Sequence, residues 1–291
     1  MSKTQQIAEE LGLKLISRLH GGEQLPISGE LQDGVYLVEK DGQKLVLKTG
    51  NFNEHEVEDT RKLKKLGIRA PEIIDSKDGA YVLYEYLGKP LATEDFWTDA
   101  NIKRVLELQN KIRNVLLDQV PNPVSNQNAT TWLQSRIEKE WLPPLVPEIL
   151  SQETATEITR ICNEKLISPG AQLTCIYRDN NADHYIDLGN ELGIVDADIS
   201  GRPREYMNMR YLSWVLLTMP MEQLGDPIAW AEKWAGYLNA DEAHFATWLL
   251  SLVGILWDIH ANEKHKGEHI EKTEAIKKIL NWVIEKLNQQ K

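Results

Sequence analysis

Apolar residues in this chain recur at two different periods, and the change falls near residue 90. Before it, side chains alternate as on strands with one buried face; after it, they return every three to four residues, as on helices. In "GVYLVEKDGQKLVLKTG" (34–50) two alternating runs flank Asp41-Gly42. That dipeptide suits a two-residue hairpin turn, because both central positions need a positive φ. "EHEVEDTRKLKKLGI" (54–68) reads as the one helix of this part, with Gly67 placed to end it. "AYVLYEYLGKPL" (80–91) reads as a strand entering a connector punctuated by Gly and Pro. From about Asp99 to Gly170 the pattern is helical, broken at 120–128 and 141–147. A short hairpin near 173–196 precedes long helices over 205–219, 227–238, 241–259 and 269–289. The last of these repeats Ile276, Leu280, Val283 and Leu287 on one face. The expectation is an α+β chain of two lobes: a small β-rich one over 1–86 and a larger, mainly helical one over 87–291.

Composition removes several function classes. A net charge of −11 argues against a nucleic-acid backbone as main partner, which wants a basic face. The longest uncharged apolar run, Phe245 to Trp257, spans 13 residues. A bilayer needs roughly 20, so the run reads as a buried core helix and no membrane partner is expected. "MSKTQQIAEELGLKLI" lacks the apolar stretch of a secretory signal, and Cys162 and Cys175 provide neither a disulfide framework nor a metal spacing. The reading is a cytoplasmic protein. Trp214, Trp248 and Trp282 sit at apolar helix positions and read as core. Of His260, His265 and His269 only the last two stand four apart, with a Gly between them, so no zinc face is expected. No Gly-x-Ser-x-Gly motif supports hydrolase chemistry.

The stretch "YRDNNADHYIDLGNELGIVDAD" (177–198) holds six carboxylates and no lysine. Tyr185-Ile186 and Gly193-Ile194-Val195 are short β-type runs, and Leu188-Gly189-Asn190 supplies a turn. Paired antiparallel about it, they place Asp187 near Gly193 and His184 near Asp196. Asp179, His184, Asp196 and Asp198 then converge at one end. Converging carboxylates repel, and a bound divalent cation is one remedy; a solvated surface hairpin is the other reading. In "LVLK" (45–48), Val46 and Lys48 share one strand face, which joins an apolar surface to an ammonium group.

"LVLK", a following helix with glutamates, "YVLYEYLG", "YRDNNADH" and "IVDAD" stand in the order and at about the spacing of the protein-kinase-like phosphotransferases. The chain most resembles the aminoglycoside phosphotransferase and choline kinase branch over about residues 15–260. That branch carries a His-Gly-Asp-x-x-x-x-Asn loop followed by Ile-Asp-Trp or similar. The resemblance implies a two-lobed kinase-like fold with ATP and Mg2+ in the cleft and a small-molecule hydroxyl as acceptor. Carried over residue by residue, it implies that Lys48 grips the α- and β-phosphates. Glu56 would orient Lys48, with Glu58 as the other choice. Val46 would cover the adenine, and backbone groups of Tyr84 and Tyr86 would meet its edge. Asp179 would accept the proton from, or orient, the attacking hydroxyl. Asp196 would ligate Mg2+, with His184 at the family's metal-binding Asn position.

Three departures stand out. Tyr177-Arg178-Asp179 replaces His-Gly-Asp, with the Asp kept. His184 is a poorer partner for hard Mg2+ than an amide oxygen, so it reaches phosphate, or Asn180, Asn181 or Asp183 takes its place, or the metal site is weakened. The phosphate loop is either "GGEQ" (21–24) or "SGELQDG" (28–34). An acceptor wall is expected from the helices after Ser200 and from "WDIHANEKHKGEH" (257–269), with Glu205, Asp226, Asp258 and Glu263 as carboxylates for a cationic acceptor. The main reading is an ATP-dependent small-molecule kinase. The second is a nucleotide-binding pseudokinase or regulatory module without turnover, and the third a helical interaction protein with no nucleotide site.

Overall fold

A computed structural model describes residues 2–20, 23–29, 31–50, 56–91, 96–119, 135–166, 173–177, 182–196, 199–203 and 206–289. By contacts the chain divides into two compact units, Met1–Ile112 with Asp179–Ile199, and Arg113–Arg178 with Ser200–Lys291. The first unit is thus larger than the 1–86 segment, and it takes in the 185–194 hairpin.

The first unit is built on a six-stranded antiparallel sheet in the order β2-β1-β3-β4-β6-β5. Its strands are β1 Lys14–His20, β2 Glu23–Leu25, β3 Val35–Lys40, β4 Gln43–Thr49, β5 Ile73–Lys77 and β6 Tyr81–Glu85. Lys40 pairs with Gln43, so β3 and β4 are joined by Asp41 and Gly42 alone. Both have positive φ, 52° and 80°, the backbone the Asp-Gly signal anticipates. Helix α2, Glu56–Lys65, connects β4 to β5. It ends at Gly67, φ 73°, with Ile68 N–H donating to Leu63 and Gly67 N–H to Lys64. Sequence periodicity passes over α1, Lys3–Glu10, whose mostly polar residues form a helix once Ser2 caps it by accepting from Gln5 N–H. Its Ile7 and Ala8 close a core with Leu13, Tyr36, Val38, Leu45, Leu47 and Leu83.

The hairpin of β8 Tyr185–Asp187 and β9 Leu192–Ile194 belongs to this unit. Tyr185 faces Ile194, Ile186 faces Gly193 and Asp187 faces Leu192. This is one residue away from the expected pairing, because the connection takes four residues: Leu188 N–H donates to Glu191 and Asn190 N–H to Leu188. The connector docks the hairpin: Leu91 N–H donates to Tyr185, and Asp187 N–H to Lys89. On helix α3, Asp99–Gln119, the Gln109 amide donates to the buried Tyr185 hydroxyl at 2.8 Å.

The second unit is mainly helical. Its central helix, Glu242–His260, is buried from Phe245 to Leu256, as the 13-residue apolar run predicts. It packs on helices Tyr206–Thr218 and Thr273–Gln289. The last presents Ile276, Leu280, Val283 and Leu287 to the interior. The Trp141 ring packs closely on Gly254, where an added Cβ would stand 3.3 Å from it. Strands β7 Leu173–Tyr177 and β10 Ile199–Pro203 pair as a separate two-stranded sheet. No helix among the described residues is long and apolar enough to cross a membrane.

Candidate functional site

Strand alternation in β4 builds the site. Leu45 and Leu47 turn into the core at 3% and 0% exposure, which leaves Val46 and Lys48 on the opposite face. The Lys48 ammonium donates to Glu56 Oε2 at 2.6 Å and to Asp196 Oδ1 at 2.6 Å. Glu56 is the first residue of α2 and is nearly enclosed, whereas Glu58 is exposed. Asp196 lies just past β9 in the left-handed region, φ 56°, a conformation that costs a non-glycine residue energy. Its other oxygen, Oδ2, stands 3.6 Å from His184 Nε2, and that nitrogen is 3.8 Å from Asp183 Oδ1. Val195 N–H donates to the His184 carbonyl, which fixes the two ends of the hairpin side by side.

The electrostatics follow from this clustering. Burial works against the Lys48 charge, but Glu56 and Asp196 together outweigh it and raise its pKa above the usual lysine value. Burial raises the Glu56 pKa, with the Lys48 charge opposing and Asp196 adding to the rise. Burial would also raise Asp196, but Lys48 and then His184 overcome it and hold Asp196 below the usual carboxylate range.

A cavity of about 490 Å³ opens on these groups, and every residue lining it belongs to the first unit. Val46, Lys48, Glu56, Tyr84, Tyr86, His184 and Asp196 all line it, as do Glu85, Leu87, Gly88 and Pro90. Five features went unread in the sequence. Gln24, Leu19, Val35 and Lys48 stand opposite one another on successive strands and so share one face, and all four line the cavity. Only the register, set across the sheet, makes that row. The Tyr84 side chain, for which only the backbone was anticipated, donates its hydroxyl to Glu56 Oε1 at 2.8 Å. Burial, then Glu56, raises the Tyr84 pKa. Thr60 and His20 also line the cavity, and Arg69 holds Glu85 through two hydrogen bonds of 3.2 and 2.6 Å.

Of the two phosphate-loop candidates, 21–24 brings Gln24 to the cavity; none of the described residues of 28–34 lines it. Gly21 and Gly22 lie outside the described residues, as do Asp179, Arg178, Asn180, Asn181, Asp198 and Glu205. Among the described residues no group of three His, Cys, Asp or Glu is arranged to hold a metal ion. Of the expected acceptor carboxylates in the second unit, Asp226 caps its own helix by accepting from Ala229 N–H at 2.8 Å. Asp258 accepts from the Asn262 amide at 3.0 Å and stands 3.9 Å from Arg210.

No family model matches this sequence, and no curated protein matches it. Its structure does match solved ones. Aminoglycoside phosphotransferase APH(4)-Ia, as a thermostable mutant in apo form, is 12% identical at a TM-score of 0.63, over 95% of this chain and 98% of that one. Another mutant of that enzyme, in ternary complex with AMP-PNP and hygromycin B, has a TM-score of 0.61 at 12% identity, over 97% and 98%. Choline kinase from Cryptosporidium parvum is 12% identical at a TM-score of 0.56, over 90% and 91%. Choline kinase LicA from Streptococcus pneumoniae is 11% identical at 0.54, over 95% and 98%. The chain therefore has the protein-kinase-like fold.

Proposed function

We propose that this protein, a chain of the protein-kinase-like fold, is an ATP-dependent phosphotransferase acting on a hydroxyl of a small molecule. The observation that carries the reading is one ammonium, Lys48, held at 2.6 Å from both Glu56 and Asp196 in the lining of a cavity of about 490 Å³. A flat apolar face beside a fixed cation suits a purine base followed by a polyphosphate. In this reading Val46 lies against the base and the backbone at Tyr84 and Tyr86 meets its edge. Lys48 neutralises phosphate charge, and Glu56 keeps Lys48 in place.

Mg2+ takes hard oxygen ligands, and at phosphoryl-transfer sites it needs only one or two carboxylates beside the phosphates. Asp196, a partly exposed carboxylate next to Lys48, fits that demand and would hold the ion. His184 fits it less well, since imidazole suits softer metals, and its nitrogen is better placed to hydrogen-bond phosphate or Asp196. Bound Mg2+ would neutralise charge developing on the transferred phosphoryl group. Asp179 would orient the acceptor hydroxyl and take its proton, so that the hydroxyl oxygen attacks the γ-phosphorus in line as the bond to the β-phosphate oxygen breaks and ADP leaves. The acceptor class is an aminoglycoside-like antibiotic or a metabolite alcohol, in keeping with structural neighbours named for hygromycin B and choline.

The test is ADP release with ATP and Mg2+ across a panel of aminoglycosides and amino alcohols. Turnover is expected with at least one acceptor, and a loss of about a hundredfold or more in Lys48→Ala, Asp196→Ala and Asp179→Asn. The position of His184 favours a second reading, a nucleotide-binding module without turnover. Thermal stabilisation by ATP with no ADP release from any acceptor would select it. Absence of stabilisation by ATP–Mg2+ in the parent protein would remove both.

A further inference from the structure

Tyr84 makes a side-chain contact that nucleotide binding does not itself require. Its ring lies on the sheet face of Val46, its register partner on β4, and the residue is 6% exposed. Its hydroxyl donates to Glu56 Oε1 at 2.8 Å, while Lys48 donates to Glu56 Oε2 at 2.6 Å. Both oxygens of a carboxylate only 3% exposed are thereby engaged. Thr60, buried on α2 one turn beyond Glu56, lines the same cavity.

We propose that the Tyr84 hydroxyl is a positioning group that holds Glu56 aimed at Lys48, and through Glu56 sets the ammonium for a polyphosphate ligand. This rests on the nucleotide reading above. A glutamate side chain has three torsions to freeze, and a buried carboxylate needs donors on both oxygens. Lys48 alone would have to serve both and would give up its reach to Asp196. Tyr84 relieves it of one oxygen, from a side chain of two torsions anchored in a central strand. Lys48 then spans Glu56 and Asp196 at equal distances of 2.6 Å.

The test is a double-mutant cycle on the full chain: parent, Tyr84→Phe, Glu56→Gln and both together, with ATP–Mg2+ affinity by calorimetry and KM and kcat by ADP release. Tyr84→Phe keeps the ring and removes the hydroxyl. It is expected to weaken nucleotide binding about tenfold, the size of one buried hydrogen bond to a charged group, and to show in KM for ATP more than in kcat. Once Glu56 is Gln, the same change is expected to cost less than about twofold, because the group it acts through is gone. Thr60→Val, in the same cavity wall, gives the fall in melting temperature and affinity expected from losing a buried hydroxyl of α2 alone. All four chains are assayed at one temperature below the lowest melting transition of the set. An equal loss in both Glu56 backgrounds would mark a packing role and overturn the proposal, as would unchanged affinity in Tyr84→Phe. A parent that binds ATP–Mg2+ while Tyr84→Phe binds it equally removes the positioning role and leaves the nucleotide reading standing. A parent that binds none removes both.

Discussion

Lys48 stands between two carboxylates of unequal burial, Glu56 at 3% exposure and Asp196 at 39%. Removing the ammonium leaves like charges facing each other, one of them out of water. Lys48→Met should therefore destabilise the protein near neutrality. Breaking a fully buried pair costs roughly 3–5 kcal/mol; solvent at Asp196 screens part of that, so about 2 kcal/mol is expected. The loss depends on pH with a definite sign. Burial already raises the Glu56 pKa, and in Lys48→Met the opposing charge is gone. A carboxyl that binds its proton more tightly folded than unfolded favours folding as pH falls through the raised value. The gap in melting temperature between parent and Lys48→Met should thus be wider at about pH 8 than at about pH 5. An equal gap at both would mean that the variant loses packing rather than charge balance.

At the scale of elements, contacts of two kinds tie α3 to the hairpin that leads to Asp196. Arg104 donates to Asp187 at 2.8 Å and to the Gly189 carbonyl at 3.0 Å, both exposed contacts, with the ion-pair side chains 29% and 43% exposed. Gln109 donates to the Tyr185 hydroxyl at 2.8 Å in the buried interior. An exposed ion pair pays for its geometry in side-chain entropy and is screened, so Arg104→Ala should shift stability by no more than about 0.5 kcal/mol. Gln109→Leu strips a buried hydroxyl of its donor and should cost about 1–2 kcal/mol. Urea unfolding of both variants measures the order, and Arg104→Ala as the costlier change would refute it. The hairpin also marks where sequence reading stops short. Its two strands and the approach of His184 to Asp196 were legible from Tyr185-Ile186 and Ile194-Val195, but the register was one residue off. The four-residue closure over Leu188–Glu191 is accompanied by docking of Asp187 N–H on Lys89, a contact that no local propensity encodes.

Across the whole molecule, what could be read was what local chemistry determines. The Asp41-Gly42 turn, the Val46–Lys48 face and the buried helix segment at 245–256 each follow from neighbours in sequence. The link between Tyr84 and Glu56 spans 28 residues, and that between Lys48 and Asp196 spans 148. The resemblance to kinase-like phosphotransferases brought Lys48 and Asp196 to one site; nothing local to Tyr84 announced the first pair, since a tyrosine in a strand usually serves for packing. The row Gln24–Leu19–Val35–Lys48 likewise exists only once four strands are in register. Both products of long-range register lie in the first unit, together with every residue lining the cavity. That confinement makes a prediction at the same scale. If ATP–Mg2+ occupies the cavity, it adds its binding free energy to the openings that expose these strands, about 2.7 kcal/mol at a hundredfold excess over Kd. Amide exchange should then slow in β4, α2, β6 and residues 185–196. In helices Glu242–His260 and Thr273–Gln289, buried without any part in the lining, it should stay within about twofold of the ligand-free rate. Slowed exchange confined to those two helices would place the nucleotide elsewhere and break the link between Lys48 and its phosphates.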